Sequence, residues 1–237
     1  MSVDRAASRP RLVIFDCDGT IVDSQHMIVA AMNVAFTEAG LAAPARDGVL
    51  SVVGLSLVPA VTRLLPGVRD AAVVARVVET YKSAFGVLRQ DPAHSEPLYP
   101  GARAAIEALA GRGDVLLGIA TGKSRRGVAQ VFEREGLGHL FHTVQTADTN
   151  PSKPHPSMIE AAMAEAGAIA GDTVMIGDTT FDIEMARAAE VGALGVAWGY
   201  HPVRALTSAG AHAIAESYAE VPDLVARLMT EDREQRR

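Results

Sequence analysis

The chain contains a single cysteine, Cys17, among 237 residues. One thiol can build neither a disulfide framework nor a multi-cysteine zinc site, and it fits a reducing compartment. Long apolar runs are also missing. None approaches the roughly 18 residues needed to cross a bilayer, and the stretch after the N-terminal arginines, Leu12 to Phe15, stops at Asp16. A cytoplasmic protein with no membrane partner is expected. There is no block of Lys and Arg, and 22 basic residues against 28 acidic ones leave a net charge of −6. That balance argues against a nucleic-acid partner. Lysine is scarce, occurring only at positions 82, 123 and 153, the other basic residues being arginine. The seven histidines are scattered without ligand spacing, so none is assigned to a metal. No internal repeat is found.

A chain of this length can bury about 70% of its surface, enough for a core without staples. Residues 1–10 are polar and end in Pro10, and residues 230–237 are almost all charged. Both ends are expected to be frayed tails. Short apolar runs recur at 11–15, 115–120, 143–147, 173–177 and 193–198. They are rich in β-branched residues and do not alternate, which predicts strands buried on both faces. Amphipathic stretches at 101–111, 124–136, 156–167 and 181–190 separate the later runs. Strand and helix alternate, so an α/β fold with a parallel sheet and helices on both faces is expected.

The alternation fails over residues 24–97. There Ile28, Met32, Ala35, Phe36 and Ala39, and then Val74, Val77, Val78, Tyr81, Phe85 and Leu88, follow helical spacing. This stretch is read as an all-helical insert, closed by a stiff connection holding Pro92, Pro97 and Pro100. Its six acidic and six basic residues cancel. A neutral insert offers no grip on a polyphosphate.

In open parallel sheets, ligands bind at the carboxyl ends of the strands. The first strand runs into Asp16-Cys17-Asp18-Gly19-Thr20, the second into Thr121-Gly122-Lys123-Ser124, and the fourth into Gly177-Asp178-Thr179-Thr180-Phe181-Asp182. Ser152-Lys153-Pro154 comes between the third and fourth. Crowded carboxylates raise one another's pKa unless a cation sits among them. A hard divalent ion answers that need, and Mg²⁺ is the one that combines a few carboxylates with waters and substrate phosphate. With Lys153 added, the edge becomes a receptor for a phosphoryl group.

The segments Asp16-Cys17-Asp18-Gly19-Thr20 with Asp23, the strand ending in Thr121, Lys153-Pro154, and Gly177 to Asp182 resemble the four motifs of the haloacid dehalogenase superfamily of phosphohydrolases. The resemblance spans residues 11–182, with the helical insert where that superfamily carries its C1 cap. Leu98-Tyr99-Pro100-Gly101 and the stretches 196–202 and 206–217 resemble the phosphoglycolate phosphatase-like group. The resemblance implies a Rossmann-like catalytic core from 11–23 and 98–237, a cap over 24–97, and Mg²⁺-dependent hydrolysis of a small phosphorylated metabolite, with phosphoglycolate the leading candidate. It implies Asp16 as nucleophile, Asp18 as general acid and base, and Thr121, the Gly122 N–H and Lys153 as holders of the phosphoryl oxygens. Metal would rest on Asp16, the carbonyl of Asp18 and Asp178. Asp182 would either reach the metal through water or orient Lys153, and Gly54 would be the cap glycine that meets substrate.

Asp18 counts against dehalogenase and phosphonatase chemistry, which do without that residue. A β-phosphoglucomutase-like transferase would call for a basic residue soon after Gly54, where the chain has Leu55-Ser56-Leu57. A non-catalytic binding module would have lost a motif residue, and none is lost. Monomer and homodimer are both open.

Gly118 to Ser124 is not a P-loop, since three residues rather than four separate its glycines. Lys123 and Ser124 are expected at the start of the next helix, with Ser124 near substrate. Lys82 is either a solvated helix position or a cap residue over substrate. Cys17 is expected as a small apolar residue. Asp23 either supports a helix N-terminus or positions substrate. His26 and His201 are candidates for the mouth of the site.

Overall fold

Every run read as a strand forms one in a computed structural model that describes residues 9–67, 70–91 and 94–235. The strands are β1 (Arg11–Phe15), β2 (Val115–Thr121), β3 (Phe141–Thr146), β4 (Thr173–Gly177) and β5 (Gly192–Val196). A sixth, β6 (Ala213–Ala215), was not expected. They make one parallel sheet in the order β3-β2-β1-β4-β5-β6. Val13 and Phe15 pack into one core with Ile106 and Val221, whereas Leu12 and Ile14 pack into the opposite one with Met158 and Ile183. Apolar layers on both faces explain why the strands show no alternation.

Helices α5 (Ala102–Ala110), α6 (Arg125–Glu135) and α10 (Val221–Gln235) contribute to the first layer, and α7 (Ser157–Ala166), α8 (Thr180–Ala188) and α9 (Val203–Ser208) to the second. The expected C-terminal tail is corrected: α10 continues to Gln235, because Glu, Arg and Gln have high intrinsic helix propensity. Residues 1–8 and 236–237 of the expected tails lie outside the described residues. Among the described residues no helix is long and apolar enough to cross a membrane.

Between β1 and β2 the chain leaves the sheet for α1 (Gln25–Glu38), α2 (Arg46–Leu50), α3 (Leu57–Leu64) and α4 (Ala71–Leu88). Met32 and Phe36 of α1 meet Val77 and Val78 of α4 in a separate apolar core. The outgoing and returning segments pair. The Asp23 amide donates to the Pro97 carbonyl at 2.8 Å and the Tyr99 amide to that of Ile21 at 3.0 Å. The chain runs from β1 to β2 and on to β3 at the sheet edge, then crosses back to β4 on the other side of β1. The resulting crevice at the carboxyl edge is where a ligand fits.

Candidate active site

Asp16 follows β1 directly, its amide donating to the Ile176 carbonyl at 2.9 Å. Its Oδ1 accepts the Cys17 N–H at 2.6 Å and faces the Lys153 ammonium at 3.0 Å. Its Oδ2 is buried with no hydrogen-bond donor. Burial pushes the Asp16 carboxyl up to about 6; Lys153 opposes the rise and Asp182 adds to it. Lys153 also meets Asp182 Oδ1 at 2.6 Å. Burial works against its charge, yet Asp16 and Asp182 together hold its pKa above the ordinary lysine value.

Asp178 follows β4. Its Oδ1 accepts the Thr20 hydroxyl at 2.8 Å and its Oδ2 the Tyr200 N–H at 2.9 Å. Burial first, then Asp182 and Asp16, raise its pKa well above the carboxylate range. Gly19 makes this approach possible: with φ at +85° and an added Cβ only 2.3 Å from Asp178 Oδ2, no side chain fits there. Asp182, in the first turn of α8, accepts the N–H and hydroxyl of Thr179 on Oδ2 at 3.0 and 2.7 Å.

Asp16, Asp178 and Asp182 each offer an oxygen within 4.8 Å of the others, and all three are buried. Lys153 is the only cation in contact with this trio among the described residues. Three carboxylates with one ammonium and an orphaned oxygen form a set that a hard divalent cation fits.

Asp18 stands at the entrance to this floor. Its Oδ1 accepts the Ser24 hydroxyl at 2.7 Å and the Lys123 ammonium at 2.8 Å. Lys123 also reaches Glu96 Oε1 at 2.9 Å and lies 5.2 Å from the Phe85 ring centre. Glu96 is 2% exposed and takes Arg89 on its other oxygen at 3.1 Å. The Ser24 amide donates to the Tyr200 hydroxyl at 3.2 Å. From sequence, Lys123 is expected only at a helix start, and Glu96 enters only as one of the six acidic residues of the neutral insert. The signal for Lys123 was compositional: a chain that otherwise uses Arg keeps Lys beside Gly122.

Thr121 ends β2, buried, its hydroxyl accepting the Lys123 N–H at 3.2 Å. At Gly122 an added Cβ would lie 2.7 Å from the carbonyl oxygens of both Gly54 and Leu55. The insert therefore rests directly on the loop after β2. The Ser56 amide donates to Ser152 Oγ at 2.8 Å beside it. A cavity of about 680 Å³ lies between insert and sheet, bordered by Asp16, Asp18, Thr121, Gly122, Lys123 and Gly54.

Several expectations resolve locally. Ser124 lines the cavity and caps α6 through the Gly127 N–H at 3.2 Å. Asp23 accepts both the amide and side-chain nitrogens of Gln25, so it supports the start of α1. Lys82 lies at the cavity rim, paired with Glu79 at 2.7 Å and largely exposed. Cys17 sits in the apolar core with its thiol pKa pushed up by burial. His26 is exposed and does not line the cavity. His201 lies instead between Thr180, whose N–H it accepts at 3.1 Å, and the Ser51 carbonyl at 3.3 Å, with burial lowering its pKa.

The model of the haloacid dehalogenase-like hydrolase family matches residues 13–196. The chain is 37% identical over 215 residues to "Probable phosphatase IndB" of Dickeya dadantii (strain 3937), covering 89% of this chain and 91% of that one. It is 31% identical over 225 residues to the phosphoglycolate phosphatase of Rhodospirillum rubrum, covering 90% of each. Its fold is that of the crystal structure of a predicted phosphoglycolate phosphatase from Haemophilus somnus 129pt, with TM-score 0.80, 21% identity, and coverage of 92% of this chain and 99% of that one. With the buried acidic floor and these matches together, the chain belongs to the haloacid dehalogenase-like hydrolases and is a phosphatase of the phosphoglycolate phosphatase-like kind.

Proposed function

We propose that this protein hydrolyses a small phosphate monoester with the help of Mg²⁺, carrying the phosphoryl group on Asp16. The observation behind the reading is Asp16 Oδ2, a buried oxygen with no donor at the floor of the covered cavity. Such an oxygen is free to attack phosphorus, breaking the bond to the leaving oxygen and forming an aspartyl phosphate. Asp18, at the cavity wall, protonates the leaving alcohol. It then removes a proton from the water that attacks the acyl phosphate. Lys153, the Thr121 hydroxyl and the Gly122 N–H hold the equatorial oxygens as charge develops.

Asp16, the carbonyl of Asp18 and Asp178 would hold Mg²⁺, which when bound supplies positive charge to the phosphoryl oxygens. Asp182 has one oxygen on Lys153 and the other on Thr179. In this reading it orients Lys153 and lies behind the metal ligands. Residues 11–23 and 98–237 form the catalytic core. Residues 24–97 form the cap, which excludes water while the acyl phosphate forms. Gly54 brings the cap backbone against Gly122 over the substrate.

Phosphoglycolate, named for several relatives, is the first compound to test. The test is phosphate release from a panel of phosphorylated metabolites with Mg²⁺, with chelator, and with Asp16→Asn as control. Release that depends on metal and on Asp16 supports the proposal. No release from any ester contradicts it.

A further inference from the structure

The cavity wall supplied by the cap consists mainly of aliphatic and aromatic side chains, among them Ile28, Met32, Val52, Val78, Tyr81 and Phe85. At about 680 Å³, it falls within the range of about 300–1,000 Å³ that accommodates drug-sized ligands. A two-carbon acid ester fills less than half of it. Such an acid also carries a carboxylate, which needs a cation once water is excluded. The cations bordering the cavity are already committed. Arg89 lies on Glu96 through one guanidinium nitrogen and over Phe85, its buried Nε alone without a partner, Lys123 lies between Asp18 and Glu96, and Lys82 lies at the exposed rim on Glu79. Only Arg126, exposed at the mouth on the core side, borders the cavity without a carboxylate partner among the described residues.

We infer that the ester's organic group is uncharged and largely apolar, larger than glycolate, and seated against the cap wall formed by α1, the segment after α2, and α4. The inference rests on the phosphatase reading above and names its substrate class. Burying apolar area on this wall contributes to binding, whereas a remote anion would meet aliphatic side chains and paired ions.

The test uses the purified protein with Mg²⁺ and a homologous series of primary alkyl phosphates, with phosphoglycolate beside them. The leaving alcohols of the series have nearly equal acidity, so a trend reports seating of the chain. Each added methylene is expected to raise kcat/KM by about fourfold until the cavity is filled, with butyl phosphate above phosphoglycolate. Val78→Thr keeps the volume and adds a hydroxyl to the wall, and it should reduce the gain per methylene, lowering kcat/KM for butyl phosphate more than for methyl phosphate. Arg126→Ala should leave all the esters within about twofold of the parent, as for an exposed charge. A flat series in the parent protein, or phosphoglycolate preferred and dependent on Arg126, overturns the inference and leaves the phosphatase reading standing. No hydrolysis of any ester overturns both.

Discussion

The Lys123 ammonium stands 2.8 Å from Asp18 Oδ1, joining the loop after β2 to the carboxylate proposed as general acid and base. The same ammonium is 2.9 Å from Glu96, on the returning hinge of the cap. One lysine thus links the reacting edge to the segment that returns from the insert to the sheet. Both Lys123 and Glu96 are nearly inaccessible, so removing the cation strands a buried charge. Lys123→Met is expected to lower kcat at least tenfold and to cost roughly 3 kcal/mol of stability, at the low end for a broken buried pair because Arg89 still meets Glu96. Steady-state kinetics and urea unfolding check the two effects separately.

Lys153→Met tests the floor itself. It would leave Asp16 and Asp182 facing each other without the ammonium they share. A loss of about 3–5 kcal/mol is expected in metal-free protein, together with loss of turnover. Added Mg²⁺ should restore part of the stability and none of the activity, read by thermal melts and phosphate release.

Metal dependence should itself depend on pH. The folded protein holds the Asp16 proton more tightly than the unfolded chain, since burial raises its pKa from 3.8 to about 6. This group therefore contributes most below its unfolded pKa, and its contribution is lost as pH rises through about 6. Asp16→Asn cannot titrate. Without metal, the melting temperature of Asp16→Asn is expected to exceed that of the parent at pH near 7.5, and the gap should close towards pH 4. Because Mg²⁺ needs the ionised carboxylate, it should stabilise the parent more at the higher pH. A gap that does not change with pH would contradict the assignment.

Gly122→Ala tests the contact between cap and core. The new Cβ would stand 2.7 Å from two carbonyl oxygens, which are backbone and cannot swing away. The cap loop has to move, so kcat/KM should fall at least tenfold, in line with the cost of small misplacements in a reacting geometry. The core is untouched, and its unfolding midpoint should stay near that of the parent.

The fold was legible where burial is two-sided. Val13 and Phe15 face one apolar layer and Leu12 and Ile14 the other, so β1 is a continuous apolar run and its bounds match the sequence reading. Strand β6 is not legible: Ala213, Ile214 and Ala215 at the sheet edge are too few to carry a periodicity that distinguishes them from a loop. The end of α10 is not legible because a run of charged residues reads equally as a tail or as a solvated helix end. The floor residues Asp16, Asp178 and Lys153 were legible because each follows a recognisable strand or motif. Lys123, Glu96, Ser24 and Tyr200 were not, because their roles arise only from apposition. Lys123 lies 105 positions from Asp18, and Tyr200 lies 176 from Ser24. Nothing local in either pair marks the contact.

Whether Asp16 carries the phosphoryl group is decided by trapping the intermediate. The protein is mixed with Mg²⁺ and an ester that it turns over, quenched in acid within the first turnover, and mapped by peptide mass spectrometry. A hydroxylamine-labile phosphoryl group is expected on the peptide containing Asp16 and absent from Asp16→Asn. Turnover with the phosphoryl group on a different side chain, or undiminished turnover by Asp16→Asn, would contradict this role of Asp16.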